Sequence, residues 1–451
     1  MPRTYNRLWD RKDILEVLKD GSGKDKIQAM VLRPSIHGEE ERCIIRHDAF
    51  ATMSDLKVLH ASRCHFGDSH HLLERLKVLE VVNCLDLVES PNFAHLPSLV
   101  KLALDFCINF EEINESIEHL KQLESLRIYR APLKKLPSNI CQLSSLQSLN
   151  LRSCRRMSSL PEQLGNLTAL RVLILGKCES LTEVPYSVGD LNQLQHRSLN
   201  QCRHLQSVPH LPSSLTIFDI SNCSAIKRIP DISNLKNLKR LVLEGLGFLV
   251  KFDEPIGHLK ELEFLSMRNC KNLQELGSTI CQLSSIQTLN LQDCKDISAL
   301  PEKMGDLASL RELNLKNCAS LSVVPNSVEK LNQLQILSID ACRNLKHLPQ
   351  LPSSLHILHA SNCDNLKIVT DVSSLEDLRI LNLDRCWNVV DVPGLENLKS
   401  LEYLDLHSCE SFGQIMEGES YRCRLGVGVA DRHRVKDMHA QVLLGGCLKS
   451  C

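Results

Sequence analysis

The cysteines are the residues of this sequence best suited to chemistry, because thiolates bind zinc and take part in redox reactions. There are twenty of them, and fourteen end the same short sequence pattern. No Cys-x-x-Cys pair occurs, and only Cys447 and Cys451 lie close together, so the spacing does not favour a zinc site. The long chain also begins with polar and charged residues instead of a secretory segment. We therefore predict free, structural thiols and no metal.

A second candidate for chemistry is the glycine-containing segment Gly21-Ser-Gly-Lys24. A phosphate-binding loop has the form G-x-x-x-x-G-K-[ST], in which backbone amides hold the phosphates and the hydroxyl binds magnesium. This segment lacks both the leading glycine and the following Ser or Thr. We predict that the chain binds no nucleotide and needs no cofactor.

The composition excludes several other functions. The 53 basic and 54 acidic residues give a formal charge of −1, so no overall field attracts nucleic acid or an anionic membrane. No run of apolar residues is long enough to span a bilayer. These features predict a cytoplasmic protein, with the nucleus as an alternative, that binds neither nucleic acid nor membrane.

The pattern L-x-x-L-x-L-x-x-C recurs in sixteen units between residues 56 and 409, at intervals of 20 to 24 residues. This interval is typical of leucine-rich repeats. The alternation inside each unit predicts a short strand, and the remainder, often with a proline, returns the chain on the other side. We predict an α/β leucine-rich-repeat solenoid with a curved parallel sheet on its concave face and short helical or irregular segments on its convex face. The units begin at Leu56, Leu76, Leu99, Leu123, Leu146, Leu170, Leu194, Leu215, Leu238, Leu262, Ile286, Leu310, Leu334, Leu355, Leu378 and Leu401.

The cysteine that ends the pattern lies where the chain turns out of the strand. A small buried side chain with weak hydrogen-bonding capacity suits this position, because it can bond backbone groups that the turn leaves unpaired. Fourteen units have it: Cys64, Cys84, Cys107, Cys154, Cys178, Cys202, Cys223, Cys270, Cys294, Cys318, Cys342, Cys363, Cys386 and Cys409.

A block of six units is duplicated, since Ile140–Ser145 recurs 140 residues later at Ile280–Ser285. One position breaks the match, because Arg197 stands where its duplicate has Leu337. An inward arginine is costly. We therefore expect either a distorted strand or an arginine whose stem extends to an edge, and we expect Arg197→Leu to raise stability.

Three regions are predicted. Residues 1–50 form a junction and cap, with a helix after Asp10, a strand over Ile27–Leu32 and a second helix that starts at Asp48 with Phe50 and Met53 facing inward. Residues 51–410 hold the repeats. Residues 411–451 have no leucine period and form an irregular or disordered tail.

The first region carries a family resemblance. It contains Arg7-Leu-Trp-Asp10 and Asp48–Lys57. The repeats that follow end in Cys and include the Leu-Pro-Ser-Ser-Leu variant at Leu211 and Leu351. Together these features resemble plant intracellular immune receptors. The closest class has an N-terminal Toll/interleukin-1-receptor-like domain and a nucleotide-binding domain. The resemblance implies a module without those domains, which senses a pathogen effector or a guarded host protein and inhibits the receptor's nucleotide-binding domain until then.

We expect the partner to bind the concave face, whose solvent-facing positions are free to vary. The fourth to sixth units carry basic and aromatic residues there, flanked by Arg155 and Arg156, and later units carry acidic ones. The predicted contact residues are Arg127, Tyr129, Arg130, Arg152, Lys177, Asp293, Asp340, Asp384 and Asp405.

Two other functions remain open at this stage. A free-standing repeat scaffold or decoy would explain Met1 and the missing nucleotide site. A ubiquitin ligase like those of bacterial effectors would fit Val208–Leu215, which is similar to their Leu-Pro repeats. However, only residues 411–451 follow the repeats, and their cysteines show no organised acid–base partners.

Overall fold

The computed structural model describes residues 6–20, 24–33, 43–45, 50, 53–66, 73–252 and 256–412. It divides into two compact units, with the boundary after Leu235. The predicted helix start at Asp48 and nearly all of the predicted tail lie outside the described residues, although Phe50 and Met53 are buried as expected.

The first unit is built on a parallel sheet in which each strand pairs with the next one along the chain, except that β3 and β5 pair only with each other. Its strands are β1 (Arg7–Leu8), β2 (Ala29–Leu32), β3 (Cys43–Ile45), β4 (Val58–Ser62), β5 (Cys64–Phe66), β6 (Val78–Val82), β7 (Lys101–Asp105), β8 (Ser125–Tyr129), β9 (Ser148–Asn150), β10 (Val172–Ile174), β11 (His196–Ser198) and β12 (Ile217–Asp219).

The second unit repeats this arrangement, and β14 and β16 form a separate two-stranded ladder. Its strands are β13 (Arg240–Val242), β14 (Lys251–Phe252), β15 (Phe264–Ser266), β16 (Glu275–Leu276), β17 (Thr288–Asn290), β18 (Glu312–Asn314), β19 (Ile336–Ser338), β20 (Ile357–His359), β21 (Ile380–Asn382) and β22 (Tyr403–Asp405).

Every predicted repeat unit has a strand that starts two residues after its first apolar residue, so the repeat prediction is confirmed. The reason is the two-residue period of a strand. In β9, Leu149 is fully buried, whereas Ser148 and Asn150 are partly exposed. In most strands a leucine therefore points into the interior, and the residues on either side of it lie on an exposed sheet face.

The return segments contain short 3-10 helices instead of α-helices. Several begin directly after a proline, such as Pro137, Pro185 and Pro325, which lacks an N–H and so suits a helix start. The 3-10 helices are Lys24–Lys26, Phe93–His95, Glu115–His119, Ser138–Gln142, Leu164–Asn166, Tyr186–Asp190, Ile256–His258, Ser278–Gln282, Met304–Asp306, Asn326–Lys330 and Leu395–Asn397.

The segment before the first repeat joins the same sheet. Helix α1 (Arg11–Asp20) is capped by Asp10, whose Oδ1 accepts from the backbone N–H of Lys12 at 2.8 Å, and Ile14 on this helix is buried. Strand β2 pairs in parallel with β4, and β1 pairs with β2. A helix follows Asp10 as predicted, and the strand lies within the predicted range Ile27–Leu32 but begins at Ala29. Strand β2 pairs along the edge of the first repeat strand.

The residue before the cysteine position has a positive φ in all sixteen repeats. This left-handed turn aims its N–H at the next repeat: the N–H of Ala341 donates to the carbonyl of Ser361 at 2.7 Å, and that of Gly245 to Arg268 at 2.8 Å. Only glycine adopts this conformation without strain, and asparagine tolerates it. Gly245 is the one glycine at this position. In the other repeats a residue with a side chain holds the conformation with some strain, and its N–H extends the ladder of backbone hydrogen bonds to the next repeat.

Ala341→Gly should therefore raise the free energy of unfolding by about 1 kcal/mol, because it removes the Cβ clash at φ 58°. Gly245→Ala, at the same position of another repeat, should lower it by about the same amount. Urea unfolding of both variants measures the change. Shifts of the same sign in the two variants would contradict this account of the turn.

The structure corrects the prediction for Arg197. Strand β11 is regular and pairs in register on both sides, with Leu173 and with Phe218 opposite Arg197. The arginine is 0% exposed, and its three guanidinium nitrogens have no hydrogen-bond partner among the described residues. Neither the distorted strand nor the emerging stem occurs, because pairing on both sides fixes which way the side chain points.

Candidate functional site

The cysteines form a ladder of thiol hydrogen bonds between neighbouring repeats. In most repeats the Sγ donates to the carbonyl at the end of the preceding strand, for example from Cys178 to Leu151 at 3.2 Å and from Cys294 to Met267 at 3.1 Å. The sixteen cysteines whose side chains the structure describes are all free, and all of them but Cys409 are buried. Burial raises the pKa of Cys270 to about 11 and that of Cys294 to about 12. These thiols stay protonated at neutral pH, which makes them poor nucleophiles and poor metal ligands.

The described residues contain no group of three or more His, Cys, Asp or Glu side chains placed to hold a metal ion. Within the same residues, no helix combines the length and apolar character needed to cross a bilayer.

The exposed sheet face of the first unit holds five of the predicted contact residues. Arg127 and Tyr129 lie on β8, Arg130 follows it, and Arg152 and Lys177 lie in the turns after β9 and β10. Adjacent repeats are joined directly here, since the N–H of Arg130 donates to the carbonyl of Arg152 at 3.2 Å. The predicted basic residues of repeats four to six therefore share one surface.

Arg127 is not available as a free cation on this surface. Its Nε and Nη2 donate to the two carboxylate oxygens of Asp105 at 3.1 and 2.5 Å. Asp105 is nearly buried, and this burial raises its pKa, against the effect of the nearby guanidinium. The pair is part of the framework of the face, because removing Arg127 would leave a nearly buried carboxylate without its partner.

A second acid on this face is also paired. Glu80 accepts from Lys101 Nζ at 2.7 Å and lies 3.1 Å from Nδ1 of His60. The hydrogen bond from Lys101 is the main cause that lowers the pKa of Glu80, and His60 adds to it. Glu80 and Asp105 are therefore neutralised by their own partners and do not neutralise the charge of the other basic residues on this face.

Beside the Arg127–Asp105 pair lies an aromatic–arginine cluster, formed by Phe106, Tyr129 and Arg130. The two rings meet edge to face, with centroids 5.1 Å apart and an interplanar angle of 89°. The guanidinium carbon of Arg130 lies 5.3 Å from the centroid of Phe106 and 5.5 Å from that of Tyr129. Phe106 is not among the predicted contact residues, although an aromatic residue directly before the cysteine departs from the polar residues usual at this position of the repeat.

Some of the predicted basic residues have partners and others do not. Arg155 pairs with Glu179 at 3.4 Å, and Arg156 pairs with Glu111 at 2.7 Å. In contrast, Arg130, Arg152 and Lys177 form no ion pair with any described residue. The uncompensated charge of this surface is therefore positive.

Of the four predicted acids of the second unit, two bond to the following repeat and one bonds within its own turn. Asp293 accepts from Asn317 Nδ2 at 2.8 Å, and Asp340 accepts from the hydroxyl of Ser361 at 2.7 Å. Asp405 accepts from the backbone N–H of His407 at 3.0 Å. Asp384 differs, because its buried Oδ1 has no partner among the described residues. The structure therefore gives most of these acids a role in the fold. The second unit also has an arginine–aromatic contact, with the guanidinium carbon of Arg240 3.5 Å from the ring centroid of Phe264, but none of the four acids belongs to it.

Several solved structures resemble this chain. A leucine-rich-repeat protein of Leptospira interrogans is 22% identical, with a TM-score of 0.53 and coverage of 88% of this chain and 87% of that one. The plant peptide hormone receptor RGFR1, solved in complex with RGF2, is 19% identical, with a TM-score of 0.41 and coverage of 89% and 73%. The functional domain of InlJ from Listeria monocytogenes, which includes a cysteine ladder, is 16% identical, with a TM-score of 0.40 and coverage of 74% and 70%. At these identities the likeness concerns the fold alone.

A family model described as a leucine-rich repeat region matches residues 55–200 and 195–360, which together are more than half of the chain. The matched residues contain most of the strands, the left-handed turns and the thiol ladder of both units. The chain therefore belongs to the leucine-rich-repeat family.

Proposed function

We propose that this chain is the recognition module of a plant intracellular immune receptor. It senses a pathogen effector or a guarded host protein, and it contributes to inhibition of the receptor's nucleotide-binding domain. The resemblance of Arg7–Asp10 and Asp48–Lys57 to the junction of such receptors supports this role. The pairing of β1, β2 and β4 supports it too, because it joins the junction segment rigidly to the first repeat.

The observation that carries the proposal is the set of unpaired cations next to exposed aromatic rings. Arg130, Arg152 and Lys177 have no ion-pair partner among the described residues, and Phe106 is 37% exposed. Arginine and aromatic side chains are enriched among the residues that dominate binding energy in protein interfaces. A face that served only for solubility would not need aromatic rings beside its charges.

Binding without catalysis is part of the proposal. The described thiols with raised pKa values are poor nucleophiles, which argues against a ligase reaction on them. We place the protein in the cytoplasm, with the nucleus as an alternative, and without nucleic acid or membrane partners. A free-standing scaffold or decoy that binds the same partner through the same face is the second candidate.

Reversal of the unpaired charges tests the binding face. The triple variant Arg130→Glu, Arg152→Glu and Lys177→Glu should weaken capture of the partner from infected plant tissue by about tenfold or more, since each change replaces attraction by repulsion. Affinity capture followed by quantitative mass spectrometry measures the loss.

The control triple Lys121→Glu, Lys135→Glu and Lys227→Glu changes the net charge equally, at exposed positions away from the sheet face. It should leave capture within about twofold of the native chain. Equal losses in the two triples would exclude the face. A partner found without infection, and no inhibition of a co-expressed nucleotide-binding domain, would favour the scaffold over the receptor module.

A further inference from the structure

Phe106 occupies the left-handed turn position that the backbone ladder imposes on every repeat, where a bulky side chain is unfavourable. Its φ is 57°, in the left-handed region that glycine and asparagine tolerate but bulky residues avoid. Its ring remains 37% exposed, so burial does not offset the strain. All sixteen repeats share this conformation, but the other fifteen have no aromatic residue at this position. The ring is therefore better explained by contact with another molecule than by the fold.

The aromatic–arginine cluster is fixed before anything binds. The N–H of Phe106 donates to the carbonyl of Tyr129 at 2.7 Å, and the N–H of Arg130 donates to that of Arg152 at 3.2 Å. The bidentate pair of Arg127 and Asp105 supports the same two strands. A ligand would order few side chains here, which favours affinity.

The charge of the surrounding face identifies the ligand. Within the part of the chain that the structure describes, Arg130, Arg152 and Lys177 have no ion-pair partner, whereas the acids Glu80 and Asp105 are paired. Carboxylates complement these cations, and a large apolar side chain complements the exposed ring of Phe106. Resting on the proposed function, we propose that this cluster anchors an acidic, extended peptide segment of the partner, with one large apolar side chain packed on Phe106.

The spacing of the repeats sets the form of that segment. Phe106 belongs to the third repeat and Lys177 to the sixth, so three strand spacings, about 14 Å, separate them. An extended chain covers this distance in roughly four or five residues. The segment therefore has its apolar residue first and acidic residues within the next few positions, or the reverse order.

A single-stranded nucleic acid is the competing ligand, because bases also stack on aromatic rings. Such binding depends on a continuous basic groove that follows the backbone. Here the three cations without an ion-pair partner among the described residues are confined to repeats four to six, and Asp219 lies on the same sheet face two repeats further along. So short a basic surface favours the peptide.

Selection from a random peptide library displayed on phage, with the full chain as target, tests the proposal. The enriched peptides should combine one large apolar residue with several acids, and synthetic copies should bind the chain in fluorescence anisotropy. Phe106→Asn should weaken that binding by about tenfold. It should leave stability unchanged or higher, because asparagine suits the left-handed turn.

Tyr186→Ala is the matched control, since Tyr186 is an exposed aromatic residue on a return segment. It should not change binding. The proposal is overturned if no peptide is enriched, if the enriched peptides lack acids, if Phe106→Asn binds them normally, or if oligothymidylate binds more tightly. A tissue partner lost with the charge-reversal triple but retained by Phe106→Asn would uphold the proposed function and reject this anchor.

Discussion

Raising the pH from about 8 to about 10 is expected to unfold the protein, because its buried thiols resist ionisation only while the chain is folded. Burial raises the pKa of most of the described cysteines above the ordinary value of 9.0. The affected residues are Cys84, Cys107, Cys141, Cys154, Cys178, Cys202, Cys223, Cys270, Cys281, Cys294, Cys318, Cys342, Cys386 and Cys409. For Cys386 the hydrogen bond with Cys363 is the largest cause of the raised pKa, and burial adds to it.

The sign follows from proton release. Above pH 9 the unfolded chain loses thiol protons, whereas the folded chain keeps them up to a pKa of about 11 for Cys270 and about 12 for Cys154. Each such thiol therefore lowers the free energy of unfolding by about 1.4 kcal/mol per pH unit in this range. Half of these cysteines would remove about 10 kcal/mol at one unit above pH 9, which is comparable with the whole stability of a typical domain.

Arg197 changes the free energy of unfolding in the opposite direction, but its contribution is too small to offset that of the thiols. Burial lowers the pKa of Arg197 to about 9, so the folded chain releases this proton earlier than the unfolded one. Stability from this group rises with pH by about 1.4 kcal/mol per unit above that value. A single arginine cannot offset many thiols.

Circular dichroism and the ultraviolet absorbance of thiolate, followed together during an alkaline titration, measure the effect. The two signals should change in the same narrow pH range. In urea unfolding between pH 8 and the transition, Cys294→Ala and Cys318→Ala should each reduce the number of protons released on unfolding, by about half a proton at pH 9. Thiolate absorbance that rises near pH 9 with unchanged circular dichroism would contradict the prediction.

The sequence predicted the strands of all sixteen repeats because each is specified locally, by a leucine pair with a two-residue period. It also predicted that the cysteines would bond backbone groups at the turn, as Cys178 does with Leu151. These features need only one repeat and its neighbour. The left-handed turn before the cysteine was not anticipated, because residues as different as Asn317 and Phe106 occupy it and the backbone ladder imposes it.

The contacts of the candidate site were harder to predict than its position. Sequence reasoning placed Arg127, Arg130 and Arg152 on one face as equivalent cations. The arginines differ in the side chains that they contact. Arg127 reaches diagonally from β8 to Asp105 on β7, whereas Arg130, in the turn after β8, lies over the ring of Phe106. Such contacts are set by side-chain directions across two strands, which a repeat pattern does not specify.

Arg197→Leu is expected to raise the free energy of unfolding by about 3 to 5 kcal/mol, because it removes a fully buried guanidinium that has no partner among the described residues. Leucine occupies the equivalent position of the duplicated repeat and pairs in the same register. The gain applies at neutral pH, where the arginine is charged in both states, and shrinks as the pH rises above about 9. In a thermal melt the variant should unfold roughly 10 °C higher.

The reciprocal change in the second unit is the matched control. Leu337 is fully buried between Leu313 and Leu358, so Leu337→Arg recreates the environment of Arg197 in a repeat that now lacks it. It should destabilise the protein by at least as much as Arg197→Leu stabilises it, since the leucine contacts are lost as well. A loss on Arg197→Leu, or a neutral Leu337→Arg, would show that the interior of these repeats tolerates a charge. In that case β11 would pair regularly because another group stabilises the guanidinium. Pairing with both neighbouring strands would then not be what holds an unfavourable charge in the interior.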